Sequence, residues 1–83
     1  MAAHNTFHLT IASVGETRFD AEAQSVTLPG SGGEFTVLAH HEPLVSTLKE
    51  GSVRIRDAEG KQHSFAVDTG VIEISQNHAI VLI

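Results

Sequence analysis

Turn-forming residues recur along this chain about every 8–12 residues, the spacing of an all-β sandwich or flattened barrel. Between the turns, apolar and polar residues alternate with the two-residue period of half-buried strands. Phe7, Leu9 and Ile11 alternate with His8, Thr10 and Ala12, and Val14-Gly15-Glu16-Thr17 turns the chain back. Arg18 to Ala23 and Ser25 to Leu28 read as returning segments. Pro29-Gly30-Ser31-Gly32-Gly33 then reads as an exposed flexible loop. Alternation resumes from Glu34 to Leu38. Leu44, Val45 and Leu48 suit one helical turn as well as an irregular strand, and the pattern alone leaves both open. The clearest hairpin pairs Val53 and Ile55 with His63, Phe65 and Val67 across Asp57-Ala58-Glu59-Gly60. Val71 to Ser75 and His78 to Ile83 form the last pair, joined through Gln76-Asn77. No segment keeps a 3.6-residue period for more than about two turns, which excludes a helix bundle and a parallel α/β fold. The expected architecture is an all-β flattened barrel or sandwich in one domain spanning residues 1–83.

A chain of 83 residues buries a modest share of its surface, roughly 60–65% by size scaling, so binding partners would add appreciably to its stability. It has no cysteine, and hence no disulfide framework or thiolate chemistry. No apolar run approaches the ~18 residues of a membrane span. Met1-Ala2-Ala3-His4-Asn5 lacks the basic and apolar regions of a signal peptide. The net charge of −5 argues against nucleic acid as a partner, as does the absence of Trp and Tyr for base stacking. Residues 1–48 hold five carboxylates (Glu16, Asp20, Glu22, Glu34, Glu42) against Arg18 alone, a bias that suits a basic partner. The last segment, Ala79-Ile80-Val81-Leu82-Ile83, is almost wholly apolar, so it is expected to be buried on both faces or covered by a partner.

Six histidines raise the question of a metal. His40-His41-Glu42 offers ligand types, but neighbours on a strand face opposite ways. His8, His63 and His78 lie on separate strands. A small metal-dependent β-barrel using such a His cluster is the alternative to a binding module. No serine sits in G-x-S-x-G, and the glycine loop lacks the Lys-Ser/Thr ending of a phosphate-binding loop. A carbohydrate- or peptide-binding sandwich would ordinarily display aromatic rings, and Trp and Tyr are missing. The residues point to a docking or assembly module without catalytic groups.

Four blocks in order add a resemblance. Phe7 to Ser13 resembles the opening strand of the ε subunit of rotary F-type ATP synthases. Leu28 to Leu38, with His41-Glu42-Pro43-Leu44, is similar to that family's Gly-Glu-x-x-x-x-Pro-Gly-His-x-Pro-Leu signature. Leu48 to Ile55 resembles its next block, and Gly70 to Ile74 with Ala79 to Leu82 its closing strands. The likeness covers about residues 6–82. It implies a flattened barrel or sandwich of about ten short strands, and a non-catalytic subunit of the central stalk that fastens the γ subunit to the membrane-embedded c-ring and couples proton flow to ATP synthesis. The implied location is peripheral, on the cytoplasmic, stromal or matrix face of an energy-transducing membrane. No cofactor is implied.

The resemblance also assigns contacts. Ser31, Gly32, Gly33 and Glu34 match the c-ring interface, where the carboxylate would meet an arginine of the ring's polar loops. Ser13, His41 and Ser46 match positions facing γ. Two departures stand out: Ala39-His40 replaces the family's Pro-Gly, and Asp68-Thr69-Gly70 replaces Ser-Gly-Gly. The first places bulk in a tight turn next to His41. The C-terminal helices common in the family, which inhibit hydrolysis and in some members bind ATP, have no counterpart in these residues. Neither activity is expected of them.

Overall fold

A computed structural model describes residues 5–83 of the chain. The signal-peptide reading of the first residues thus falls mainly outside the described ones. Eight strands follow in order: β1 (Phe7–Ser13), β2 (Glu16–Gly30), β3 (Gly33–Leu38), β4 (Leu44–Leu48), β5 (Gly51–Asp57), β6 (Gln62–Val67), β7 (Gly70–Ser75) and β8 (His78–Leu82). The fold is all-β, with no α-helix among the described residues. Arg18 to Ala23 and Ser25 to Leu28 belong to one continuous β2. The described residues form eight strands where the resemblance implies about ten.

β2 organises the molecule. Its first half pairs with β1, and its second half pairs with both β3 and β5. Register shifts where Ala23 gives way to Ser25, so the strand bends there and serves both layers. The strand order β1-β8-β7-β4-β2-β5-β6, with β1 also on β2, closes a circuit that flattens into a sandwich. β1 and β8 run parallel, whereas the remaining pairs are antiparallel.

Inward positions follow the alternation. Phe7, Leu9 and Ile11 of β1 meet Ile72 and Ile74 of β7, Ala79 and Val81 of β8, and the inner residues of the second layer, Val26, Leu28, Val37, Val53 and Ile55, in one core. Each fully buried side chain of this size contributes about 1.5–3 kcal/mol by leaving water.

Two local expectations change. Leu44–Leu48 is a strand, pairing with β7 from Leu44↔Ile74 to Leu48↔Gly70. Pro29 and Gly30 do not belong to a flexible loop: both are buried strand residues, and only Ser31-Gly32 turns the chain into β3. Pro29 has no N–H to give a ladder, but its carbonyl accepts the Lys49 N–H at 2.8 Å.

The remaining turns follow the sequence. Asp57 Oδ1 accepts the Glu59 and Lys61 N–H groups, both at 2.9 Å, and fixes the β5–β6 turn. Gln76 and Asn77, with φ of 52° and 61°, make a two-residue hairpin turn in which both central residues are left-handed.

Candidate functional site

The candidate residues divide between the two ends of the sandwich and one strand edge. Strands β1, β4, β6 and β8 finish at the end where β3, β5 and β7 begin, as the registers require. The glycine turn, Ser13 and the segment between β6 and β7 lie there. The opposite end carries the Gln76-Asn77 turn, the β5–β6 turn and the segment from Ala39 to Pro43. His41 is therefore separated from Ser13 and the glycine turn by the length of the strands.

The glycine turn is held by its flank. Ser31 N–H donates to the Thr47 carbonyl at 3.0 Å, and the two hydroxyls share a hydrogen bond of 2.7 Å. Ser31, Gly32 and Gly33 are exposed. Gly33 has φ of 134°, a conformation that side chains with a Cβ avoid. Glu34 follows on β3 and is exposed, but it is not a lone carboxylate. The Arg54 guanidinium on β5 donates to its Oε2. The pairing arises because β3 and β5 flank β2 on the same layer, Thr36↔Thr27↔Arg54 lying in one row. Both partners are more than half exposed, so the pair orients the carboxylate and adds little stability, about 0–1 kcal/mol.

Ser13, at the end of β1, is half-buried and lines a shallow groove with Arg18, Glu50, Val67, Asp68 and Ile83. Ser46 is half-buried on β4. His41 is half-buried too, its Nδ1 within 2.7 Å of the Glu42 carbonyl. His40 beside it takes φ of 62°. The family's glycine position is thus occupied by a side chain in a left-handed conformation. Its N–H donates to Asn77 Oδ1 at 2.7 Å, which pins the segment to the β7–β8 turn.

Strand pairing reveals a surface that the candidate residues did not include. Outer-face rows run Thr10–Ile80–Glu73–Val45 and Ala12–Leu82–Val71–Thr47 across β1, β8, β7 and β4. In them Val45 is 69% exposed, Leu82 51% and Ile80 37%. Of the two expectations for the apolar last strand, burial on both faces does not hold: Ala79 and Val81 are buried, while Ile80 and Leu82 face outward. β4 pairs with β2 only at Gly30↔Leu48 and the Ser31 N–H takes the Thr47 carbonyl, so from Leu44 to Ser46 its other edge has no strand partner among the described residues, and Ser46 stands on that edge. An open edge and an apolar face side by side suit a protein partner.

The histidines do not gather. His8 and His78 meet on β1 and β8, with ring centroids 4.9 Å apart and planes at 85°. His63 lies on β6, its Nε2 2.8 Å from Asp57 Oδ2. His40 and His41 occupy the segment before β4. Among the described residues no group of three or more His, Cys, Asp or Glu is arranged to hold a metal ion.

Charge is instead arranged in local pairs. The hydrogen bond from His63, with the Lys61 and Glu59 amides, lowers the Asp57 pKa. The Asp20 carboxyl is lowered chiefly by its bond to His8, and His8 is raised chiefly by the same bond. Neither the Arg54 partner of Glu34 nor the carboxylates around His8 could be named before the strand neighbours were known. The outward alternation of Arg54, His8, Asp20 and Glu22 was the only available signal.

The chain is similar to known proteins. Residues 6–83 match the family described as ATP synthase, Delta/Epsilon chain, beta-sandwich domain. The ATP synthase epsilon chain of Delftia acidovorans is 40% identical over 78 residues, covering 94% of this chain and 56% of that protein. That of Campylobacter fetus is 44% identical over 79 residues, covering 95% and 61%. The chain thus spans little more than half the length of these relatives. A chain of the Euglena gracilis mitochondrial ATP synthase structure (OSCP, F1 and c-ring) superposes with a TM-score of 0.86 at 22% identity, over 93% of this chain and 49% of that one. One from the Tetrahymena thermophila mitochondrial ATP synthase central stalk and c-ring gives 0.74 at 13% identity, over 90% and 60%. These two likenesses are of fold. With the family matched over nearly every residue and relatives this similar in sequence, the chain belongs to the β-sandwich domain family of ATP synthase delta and epsilon chains.

Proposed function

We propose that this domain is a non-catalytic fastening element of the ATP synthase rotor, docking γ on one surface and the c-ring on another, so that proton flow is coupled to ATP synthesis. The observation that carries the reading is the exposed apolar face of β8, β7 and β4 beside the open β4 edge. Ser46 lies on that edge, His41 just before β4, and Ser13 at the end of β1, which bounds the other side of the same face beyond β8, so the γ contact would span this side of the sandwich. The glycine turn and Glu34 project from one end, where the ring loops would meet them. Arg54 holds Glu34 Oε2, which leaves Oε1 for a guanidinium of the ring. The domain would then sit peripherally on the cytoplasmic, stromal or matrix face of the membrane.

Magnitudes favour two contacts over one. Covering Val45, Ile80 and Leu82 yields on the order of 3–5 kcal/mol. Micromolar affinity needs about 8 kcal/mol, after association costs are met. Two surfaces on one rigid body supply the difference through effective concentration.

The test is a pull-down of the purified domain with γ, with c-ring, and with both. Binding at micromolar concentration to the joint assembly is expected. Glu34→Lys should weaken ring attachment while changing stability by less than ~1 kcal/mol. No retention by the joint assembly, or a Glu34→Lys variant that melts lower yet binds as before, rejects the proposal.

A further inference from the structure

The outer face of β1 carries a polar cluster around His8, beside the apolar face of β8, β7 and β4. His8 stands directly opposite Glu22 on β2 and His78 on β8. Its Nε2 lies 2.5 Å from Asp20 Oδ1 and its Nδ1 3.3 Å from Glu22 Oε2. A neutral imidazole has one N–H and one lone pair, and an ionised carboxylate only accepts. Both contacts are satisfied together only by the imidazolium.

The cluster continues on either side. Thr10 Oγ1 donates to Asp20 Oδ1 at 3.1 Å and lies 3.3 Å from His78 Nε2. Glu22 Oε1 accepts the Thr6 hydroxyl at 2.8 Å. The Thr6 carbonyl accepts Asn77 Nδ2–H at 2.9 Å, and Asn77 Oδ1 accepts the His40 N–H at 2.7 Å. An unbroken set of contacts thus leads from the His8 ring to the segment that bears His41.

We infer that His8 is a proton-operated latch: in its charged form it clamps Asp20 and Glu22, and through Glu22, Thr6 and Asn77 it fixes the Ala39–Pro43 segment. Loss of the proton leaves Glu22 facing a lone pair, or Asp20 with the Thr10 hydroxyl in place of two donors, and the carboxylates then repel across one strand face. Glu22 turns away, the Thr6 bond loosens and Asn77 is less firmly held.

The groups facing His8 are Asp20 and Glu22 from β2 and His78 from β8; Glu73 of β7 lies one strand further, beside His78 in a shallow hollow. Arg18 of β2 is engaged with Glu16 at 3.8 Å. The carboxylates dominate, and they raise the His8 pKa above its ordinary 6.5 even though partial burial opposes this. A group raised on folding stabilises below its unfolded value, and that contribution disappears as pH rises through the folded value. The latch is therefore closed in mild acid and opens on the alkaline side of 6.5. It stands whether or not His41 meets γ.

Nitrogen-15 NMR of the labelled chain between about pH 5 and 9 tests this on a histidine of ordinary reference value. Both His8 ring nitrogens should carry protons at the acid end, with an inflection above 6.5. The Asn77 side-chain amide, which does not itself titrate, should shift at the same pH. His8→Gln should abolish the Asn77 shift. Glu22→Gln should separate the two, leaving His8 titrating and Asn77 still. An inflection at or below 6.5, or an Asn77 response that survives either substitution, overturns the latch.

Discussion

Gly70→Ala tests how tightly the two chain-terminal elements of the sandwich are fitted. Gly70 opens β7, paired with Leu48, at the end where β8 finishes. A Cβ there would fall 2.5 Å from the Leu82 carbonyl oxygen, 3.1 Å from Ile83 Cγ2 and 3.4 Å from Ile83 Cα. The Ile83 methyl can rotate away, but the carbonyl belongs to the β8 backbone. Carbon and carbonyl oxygen rest no closer than about 3.3 Å, so the end of β8 must move by ~0.8 Å. The Ile83 N–H next to that carbonyl donates to Ala12 O at 2.9 Å, a bond the movement strains. Overpacking costs about 1–3 kcal/mol, and loss of the bond about 0.5–1.5. The restricted unfolded chain returns about 0.4–1 kcal/mol. A net loss near 2 kcal/mol lowers the melting temperature of a domain this size by about 8–16 °C. Gly32→Ala is the control, because nothing lies within 4 Å of its Cβ position and its φ is not left-handed. It should melt at or slightly above the parent. Thermal unfolding by circular dichroism measures both. Equal melting of Gly70→Ala and the parent, or equal damage from Gly32→Ala, would refute the close-approach argument.

Two further outcomes follow from local geometry. His40→Gly should raise the melting temperature slightly, because relief of a left-handed non-glycine residue, about 1–2 kcal/mol, exceeds the entropy that glycine adds to the unfolded chain, about 0.5–1; a lower melting temperature would show that the His40 side chain matters more than its backbone. Asp57 has its pKa depressed by His63 and by the Lys61 and Glu59 amides, so its stabilisation is present above the ordinary 3.8 and is lost as pH falls through the folded value. Asp57→Asn should therefore flatten the acid limb of stability against pH, and an unchanged limb counts against the assignment.

The fold was legible because alternation is a local property. Leu9, Val53 and Ile55 point inward in the sequence pattern and in the structure alike. Where two forces competed locally, the pattern was not enough. Leu44 and Leu48 fit a helical turn until β7 offers a ladder to pair with. Pro29 and Gly30 have loop chemistry, but packing against β3 and the Lys49 amide keeps them in β2. The candidate site was less legible, because its geometry is non-local. That Glu34 meets Arg54 depends on both flanking β2, and that Asn77 holds His40 depends on two turns lying side by side. Neither separation along the chain carries a signal.

The parallel pairing of β1 with β8 has a consequence for synthesis. His8 finds its neighbour at His78 and Ile11 at Val81, so during synthesis β1 waits for β8, about seventy residues later. Until β8 emerges, a nascent chain can form the β5–β6 hairpin and the β2–β3 turn, but Phe7, Leu9 and Ile11 lack part of their cover. Sequence-distant closure of this kind is slow and leaves apolar surface unguarded. A stalled intermediate short of residue 79 should accordingly bind a chaperone that holds exposed apolar surface, and release should coincide with delivery of β8.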